Sequence, residues 1–365
     1  MEKEAKIAIL NKVLILELLR NKGIGDISAR RIMHCHFAQT KVGYTQEISN
    51  KESDLLTNAI RTANKKLELL KSYELTDSLV PFFDENYPGL LNEVQEAPAL
   101  IFTNGNKNLL SKRCISIVGT RNATAFGKSF ASELSYELAK AGLVIVSGLA
   151  VGIDSHVHHG ALKAGGHTIS VLPSEVEKAT PVSNTNLYNN ILNQNGLIIS
   201  EYSKYRPINL TKGLFPARNR IIAGLSEYTI IVEAKEKSGA IITANLAFEN
   251  NRDVLSLPGS VNFNTSSGCN QLIRENKARL IRSVSDVFED IGIKNYNKNK
   301  LRNLSTLTES ERIVYDTLLS GGKFIEELNL ILQIGFTNLI SLCSSLELKE
   351  FIMKDDIGKY VIQVS

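Results

Sequence analysis

Spread over 365 residues, 43% hydrophobic and 22% charged, the composition is that of a folded chain with two or three domains rather than a disordered or membrane-spanning one. A net charge of +4 permits a polyanionic partner without demanding one, so any nucleic-acid surface must come from local clustering of cations. The four cysteines, Cys35, Cys114, Cys269 and Cys343, form no C-x-x-C pair, which argues against a zinc ribbon and for reduced thiols in a cytoplasmic protein.

Residues 1–75 read as a helical domain. Ile9, Val13, Leu16 and Leu19 recur at helical spacing, and the charges among them leave no uninterrupted apolar stretch of signal-peptide type. The following NKGIGDISARRIM makes a Gly-Ile-Gly turn, with Asp26 or Ser28 placed to cap the next helix. That pattern fits a helix-hairpin-helix offering amides to a DNA phosphate, and equally an ordinary helix pair used for packing. From 76 the second domain begins with a connector in which Pro81, Pro88 and Pro98 interrupt any helix, ending in an expected edge strand at Ala99–Phe102.

Between 115 and about 290, six short apolar runs (ISIVG, LVIVSG, HTISVLP, LIISEY, YTIIVEA and DVLSLPG) alternate with helical stretches. Continuous β-branched runs of this kind are buried parallel strands, so residues 76–292 predict an α/β domain with an open, Rossmann-like parallel sheet. A polar, basic linker, GIKNYNKNKLRNL, follows. Residues 301–365 then read as three helices and a hairpin, the order of a winged-helix domain. Its expected recognition helix, FTNLISLCSSLEL, has no Lys or Arg to reach base edges, which favours a protein contact or dimer support there.

The loops at the strands' carboxyl ends carry the chemistry. Gly119 and Thr120 after one strand, and Ser147 and Gly148 after the next, are small enough for backbone amides to approach an anion, and each loop opens a helix. Arg121 is expected to point from the first loop toward a phosphate, the alternative being a tight turn that carries a surface arginine. The fingerprint G-x-G-x-x-G is missing, which disfavours a dinucleotide, and no cofactor is expected. Positive charge concentrates at 204–220, where Lys204, Arg206, Lys212, Arg218 and Arg220 occur without Asp or Glu. Phe215 lies among them. Read as an extended segment, 212–220 puts Arg218 and Arg220 on one face; alternatively, Asn219 and one arginine hold the loop through backbone hydrogen bonds. Phosphate cradles beside cations and an aromatic ring fit single-stranded nucleic acid first.

Other groups invite rival chemistry. Asp154, Glu201 and Glu233 each follow a strand and could gather as in a metal-dependent nuclease, but pairing with nearby cations or capping of loops is the favoured reading, since bare carboxylates repel phosphate. The histidines at 156, 158 and 159 lack a third ligand at fixed spacing, so no metal site is expected, and His158 is expected to contact Asp154 one turn away. In SGAIITA, Ser238, Gly239 and Thr243 resemble the phosphate-gripping part of nucleotide phosphoribohydrolases. Leu246 stands where their catalytic Glu belongs, so the phosphate grip survives and the hydrolase does not.

Six stretches, IVGTRNATAFG, VSGLAVGIDSHVHHGAL, GHTISVLP, FPARNRIIAG, SGAIITANLAFENNRDVLSLPGS and SSGCNQLI, together resemble the DNA-processing protein A (Smf-like) family across residues 80–290. The resemblance implies a Rossmann-like core that binds single-stranded DNA without catalysing a reaction, forms homodimers and helps load a RecA-type recombinase in natural transformation. Carried over by position, its DNA contacts fall on Arg121, Lys212, Phe215 and Arg218. The chain departs from the family in LPSEVEKATP, where Ser174, Glu175 and Thr180 replace a Gly-x-Gly and a Tyr-Pro, and at Asn276–Ala278, which replaces a Gly-Ala.

Overall fold

The computed structural model describes residues 2–21, 24–40, 49–67, 77–208, 211, 213–293, 306–319, 321–349, 351–355 and 357–362. Its centre is a nine-stranded sheet in the order β1-β2-β6-β5-β4-β3-β7-β8-β9, built from β1 (Leu79–Pro81), β2 (Leu100–Gly105), β3 (Cys114–Val118), β4 (Val144–Ser147), β5 (Thr168–Val171), β6 (Leu197–Ser200), β7 (Tyr228–Ile231), β8 (Asp253–Ser256) and β9 (Arg279–Leu280). Strands β3 to β9 run parallel, and β2 pairs antiparallel with both β1 and β6. The expected edge strand near Ala99–Phe102 is therefore internal. The three-residue β1 covers it, its Val80 paired with Ile101.

Strand alternation explains the layers. In β3, Ile115 and Ile117 face one hydrophobic cluster while Cys114 and Val118 face the other. Ser116 shares the second face, where its hydroxyl donates to the Ile222 carbonyl at 2.7 Å, so a polar residue inside the sheet is fully satisfied. Helices α5 (Ala125–Lys140) and α6 (Ile153–Lys163) pack together on the Ile115 side. The other face carries α8 (Leu214–Gly224) and α9 (Gly239–Glu249), with the amino-terminal helices α1 (Glu2–Arg20), α2 (Asp26–Thr40) and α3 (Asn50–Leu67) beyond; α4 (Gly89–Asn92) and α7 (Thr185–Asn193) lie between strands in the chain.

The described residues of the amino-terminal helices share the core of the sheet. Val13, Leu14, Ile32 and Met33 belong to the same buried cluster as Leu79, Leu100 and Ile199 of the sheet. Polar ties reinforce the joint: Lys12 donates to the Leu79 carbonyl at 3.1 Å, and the Arg20 guanidinium donates to the Tyr205 carbonyl at 2.8 Å. Asp26, expected to cap α2, instead accepts the Ala99 amide at 2.9 Å, so it docks the helix on the start of β2. Part of the Gly-Ile-Gly turn lies outside the described residues.

After α10 (Ser267–Arg274) and α11 (Val284–Asp290) come α12 (Glu309–Leu318), α13 (Ile325–Leu332), α14 (Phe336–Leu348) and an antiparallel pair, β10 (Ile352–Lys354) and β11 (Tyr360–Ile362), around a separate small core of Val314, Leu328, Leu339 and Cys343. The basic linker lies largely outside the described residues. No single helix among those described is long and apolar enough to cross a membrane.

Candidate functional site

Strand order falls from β6 to β3 and then jumps to β7 and β8. The chain therefore leaves β3 and β7, adjacent strands, in different directions, and a crevice must open between their carboxyl-end loops. It measures about 520 Å³ and is lined by Arg121, Phe215, Arg218, Lys235, Ser238 and Gly239, among others. Arg121 is exposed and has no ion pair to a described residue; its guanidinium carbon stands 5.2 Å from the centroid of Phe215. Two stretches of chain 94 residues apart thus supply one cation–aromatic pair at the mouth of the crevice.

The amides expected to cradle an anion are otherwise engaged, which corrects the reading of both loops. The Asp154 carboxylate accepts the amides of Gly119, Gly148 and Ala150, the Gly148 bond being 3.2 Å long. The Thr120 amide donates to the Glu233 carbonyl at 2.7 Å, and the buried Ser147 hydroxyl donates to Ile117. A buried acid fills the second cradle from within. The end left open is the amino terminus of α9, where Gly239 is exposed and the enclosed Ser238 hydroxyl has no hydrogen-bond partner among the described residues.

The basic segment divides. Residues 214–224 form α8 rather than an extended stretch, so Arg218 and Arg220 diverge. Arg218 is buried, donates to the Gly148 carbonyl at 2.8 Å and also to the Val171 carbonyl, and Asn219 donates to the Gly239 carbonyl at 3.1 Å. This is the alternative in which Asn219 and an arginine hold the loop. Arg220 lies in a different network: it donates to both Glu201 oxygens at 2.7 and 2.6 Å, to the Glu96 carbonyl at 2.7 Å, and stands 3.6 Å from Asp26. Arg206 bonds the Glu201 carbonyl at 3.2 Å on the same side. Lys212 lies outside the described residues.

The three carboxylates behave as loop and helix anchors. Glu233 accepts the Thr124 amide and hydroxyl at 2.9 and 2.5 Å, Glu201 binds Arg220, and Asp154 takes the amides named above. Burial raises the pKa of Asp154 and Glu201, opposed by Arg218 for the first and by Arg220 for the second. Burial also lowers that of Arg218 to about 10, leaving it charged at neutral pH. His158 does not meet Asp154; its Nδ1 lies 2.7 Å from the Thr168 hydroxyl, which itself donates to the Ile145 carbonyl. Leu246 packs against the core, and Ser174 bonds Thr180 at 2.6 Å to close the altered 173–181 loop. Among the described residues no group of three His, Cys, Asp or Glu is placed to hold a metal. Sequence reasoning passed over Lys235, an exposed cation at the crevice whose position just beyond β7 was its signal.

A profile of the DNA recombination-mediator protein A family matches residues 78–292, the whole of the central sheet domain. The chain belongs to the DNA recombination-mediator protein A family. DNA processing protein DprA of Bacillus subtilis is 40% identical over 243 residues, covering 66% of this chain and 80% of that protein. Its Streptococcus pneumoniae counterpart is 41% identical over 208 residues, covering 57% and 72%. The crystal structure of DNA processing protein A from S. pneumoniae superposes with a TM-score of 0.62 at 30% identity, over 77% of this chain and 97% of that one. That of the Helicobacter pylori protein, described for its single-stranded DNA binding mode, gives 0.51 at 34% identity over 57% and 93%.

Proposed function

We propose that this family member binds single-stranded DNA without sequence preference at the crevice between β3 and β7. One observation carries the reading: Arg121, exposed and unpaired among the described residues, stands over Phe215 at the mouth of a crevice that also holds Lys235 and the open end of α9. A cation for the phosphate beside a ring for the base is what sequence-tolerant strand binding requires, each stacked base contributing roughly 1–3 kcal/mol. The α9 terminus, with Ser238 and Gly239, takes a phosphate; Lys212, a basic position of the family's K-x-x-F-P-x-R segment, is a further DNA contact. Gly119, Thr120 and Arg218 form the crevice wall, their hydrogen-bonding groups engaged within the fold, while Ser147 and Gly148 shape the loop behind it; Arg220 anchors α8. The single-stranded DNA binding mode described for the H. pylori relative supports a single strand as the ligand.

On the same reading the protein works in the cytoplasm as a homodimer that catalyses no reaction and delivers the strand to a RecA-type recombinase in natural transformation, with the carboxyl-terminal winged helix serving protein contacts. Fluorescence anisotropy with labelled oligo-dT and its duplex counterpart over a salt series tests the core of the proposal. Preference for the single strand, with affinity falling as salt rises, is expected; equal affinity for both forms overturns it. Recombinase filament formation on coated DNA, with and without the protein, tests delivery separately.

A further inference from the structure

We propose that Phe126 is a second base-stacking platform, in the helix turn that follows the Arg121 loop, so that a bound strand leaves the crevice across the carboxyl edge of the sheet. The inference rests on the single-strand reading above. Phe126 is 50% exposed in the first turn of α5, five residues beyond Arg121. Side chains on a helix tilt toward its amino terminus, and that terminus follows directly from the β3 loop, so the ring is lifted to the rim rather than laid along the flank. Its inner face rests on Phe130, centroids 6.1 Å apart and planes at 28°, while Phe130 itself is buried in the core. One face is thus supported and the ring is presented to solvent.

The position is rigid. Thr124 caps the helix through the Gly127 amide at 3.0 Å and is itself gripped by Glu233. A Cβ on Gly127 would lie 2.5 Å from the Glu233 carboxyl carbon, so the first turn is pressed onto a buried side chain. The Arg121 loop is itself braced by Gly152, which sits so close to the Thr120 and Arg121 carbonyls that an added Cβ would stand 2.5 and 2.4 Å from their oxygens. An aromatic held this firmly loses little entropy on stacking. The occupant is a base of the same strand because the adjoining charge is Arg121, exposed and without an ion pair among the described residues, and phosphate placed there leaves bases on either side. A cation paired with one ring, and followed five residues on by a second exposed ring, matches a sequence-tolerant track.

The chain contains no tryptophan, so Phe126→Trp gives emission from that one site. In the full-length protein, titration with oligo-dT is expected to quench this emission at near wild-type affinity, whereas an abasic oligomer of equal length leaves it bright. Phe126→Ala and Phe126→Leu should both weaken oligo-dT binding about 5- to 100-fold, with the salt slope unchanged because a ring and not a phosphate contact is lost. Circular dichroism verifies that each variant folds. Undiminished emission at wild-type affinity, or a Leu variant that binds like wild type, overturns the second platform. If the wild-type protein itself fails to bind oligo-dT, the crevice reading falls, and this inference with it.

Discussion

Arg218 donates to the carbonyl of Gly148 at 2.8 Å, tying α8 to the loop after β4 across 70 residues of chain. The guanidinium lies flush against that glycine: a Cβ on Gly148 would be 2.5 Å from both terminal nitrogens. With Asp154 drawing the Gly148 amide from the other side, the two peptide groups that flank this glycine are held between a buried cation and a buried anion. This clamp sets the wall of the crevice that Phe215 overhangs.

Removing the clamp should therefore destabilise the protein before it alters recognition. Arg218→Ala removes two buried hydrogen bonds from a charged group, to the Gly148 and Val171 carbonyls, and the positive charge that offsets the burial of Asp154, a loss of about 3–5 kcal/mol. Denaturant midpoints read the change. Arg218→Lys should recover only part of it, because an ammonium cannot reproduce the planar fork.

Gly148→Ala probes the same contact sterically. The guanidinium is held by carbonyls and cannot swing clear, so the methyl group must displace α8 or the loop. A lowered melting temperature and weaker oligo-dT binding together are expected; a variant with wild-type values for both would mean that the wall yields freely.

Arg121→Ala is expected to act on binding alone. The side chain is exposed and ion-pairs with no described residue, so the melting temperature should stay put. Affinity for oligo-dT should fall for all sequences tried, and the log-log salt slope should flatten by about 0.7, the share of one single-strand phosphate contact. An unchanged slope removes Arg121 from the phosphate path.

The Arg220–Glu201 pair is buried, bidentate and close to Asp26 of the amino-terminal helices. Either Arg220→Met or Glu201→Gln alone should cost about 3–5 kcal/mol, while the double variant should cost clearly less than their sum, since neither partner is then left as an unpaired buried charge. A double-mutant cycle in urea measures the coupling. Strict additivity would show that the two side chains act independently.

His158 should make stability depend on pH. Enclosure pushes its pKa down from 6.5 to about 3, so as the pH falls below 6.5 the unfolded chain takes up a proton that the native state refuses. The contribution is present in full above the unfolded pKa and is lost as the pH drops toward the folded one, at up to about 1.4 kcal/mol per pH unit. The buried acids Asp154 and Glu201, raised in pKa, act with the opposite sign. Comparing unfolding free energies of wild type and His158→Gln between pH 4 and 7 isolates the histidine; parallel curves would rule it out.

The sequence by itself determined the elements: the six β-branched runs became β3 to β8, the loops after them became the rim, and Arg121 and Phe215 were legible as surface chemistry because each interrupts an apolar pattern at a strand or helix end. Periodicity records which face of an element is buried, but not what covers it. Long-range packing alone turns Arg218 inward to Gly148, joins Arg220 to Glu201 and Asp26, seats Asp154 in the amide cradle, and merges the described amino-terminal helices with the core of the sheet. Each depends on groups far apart in the chain, and a charge chooses water, a ligand or a buried partner according to which of them the fold brings within a few ångströms.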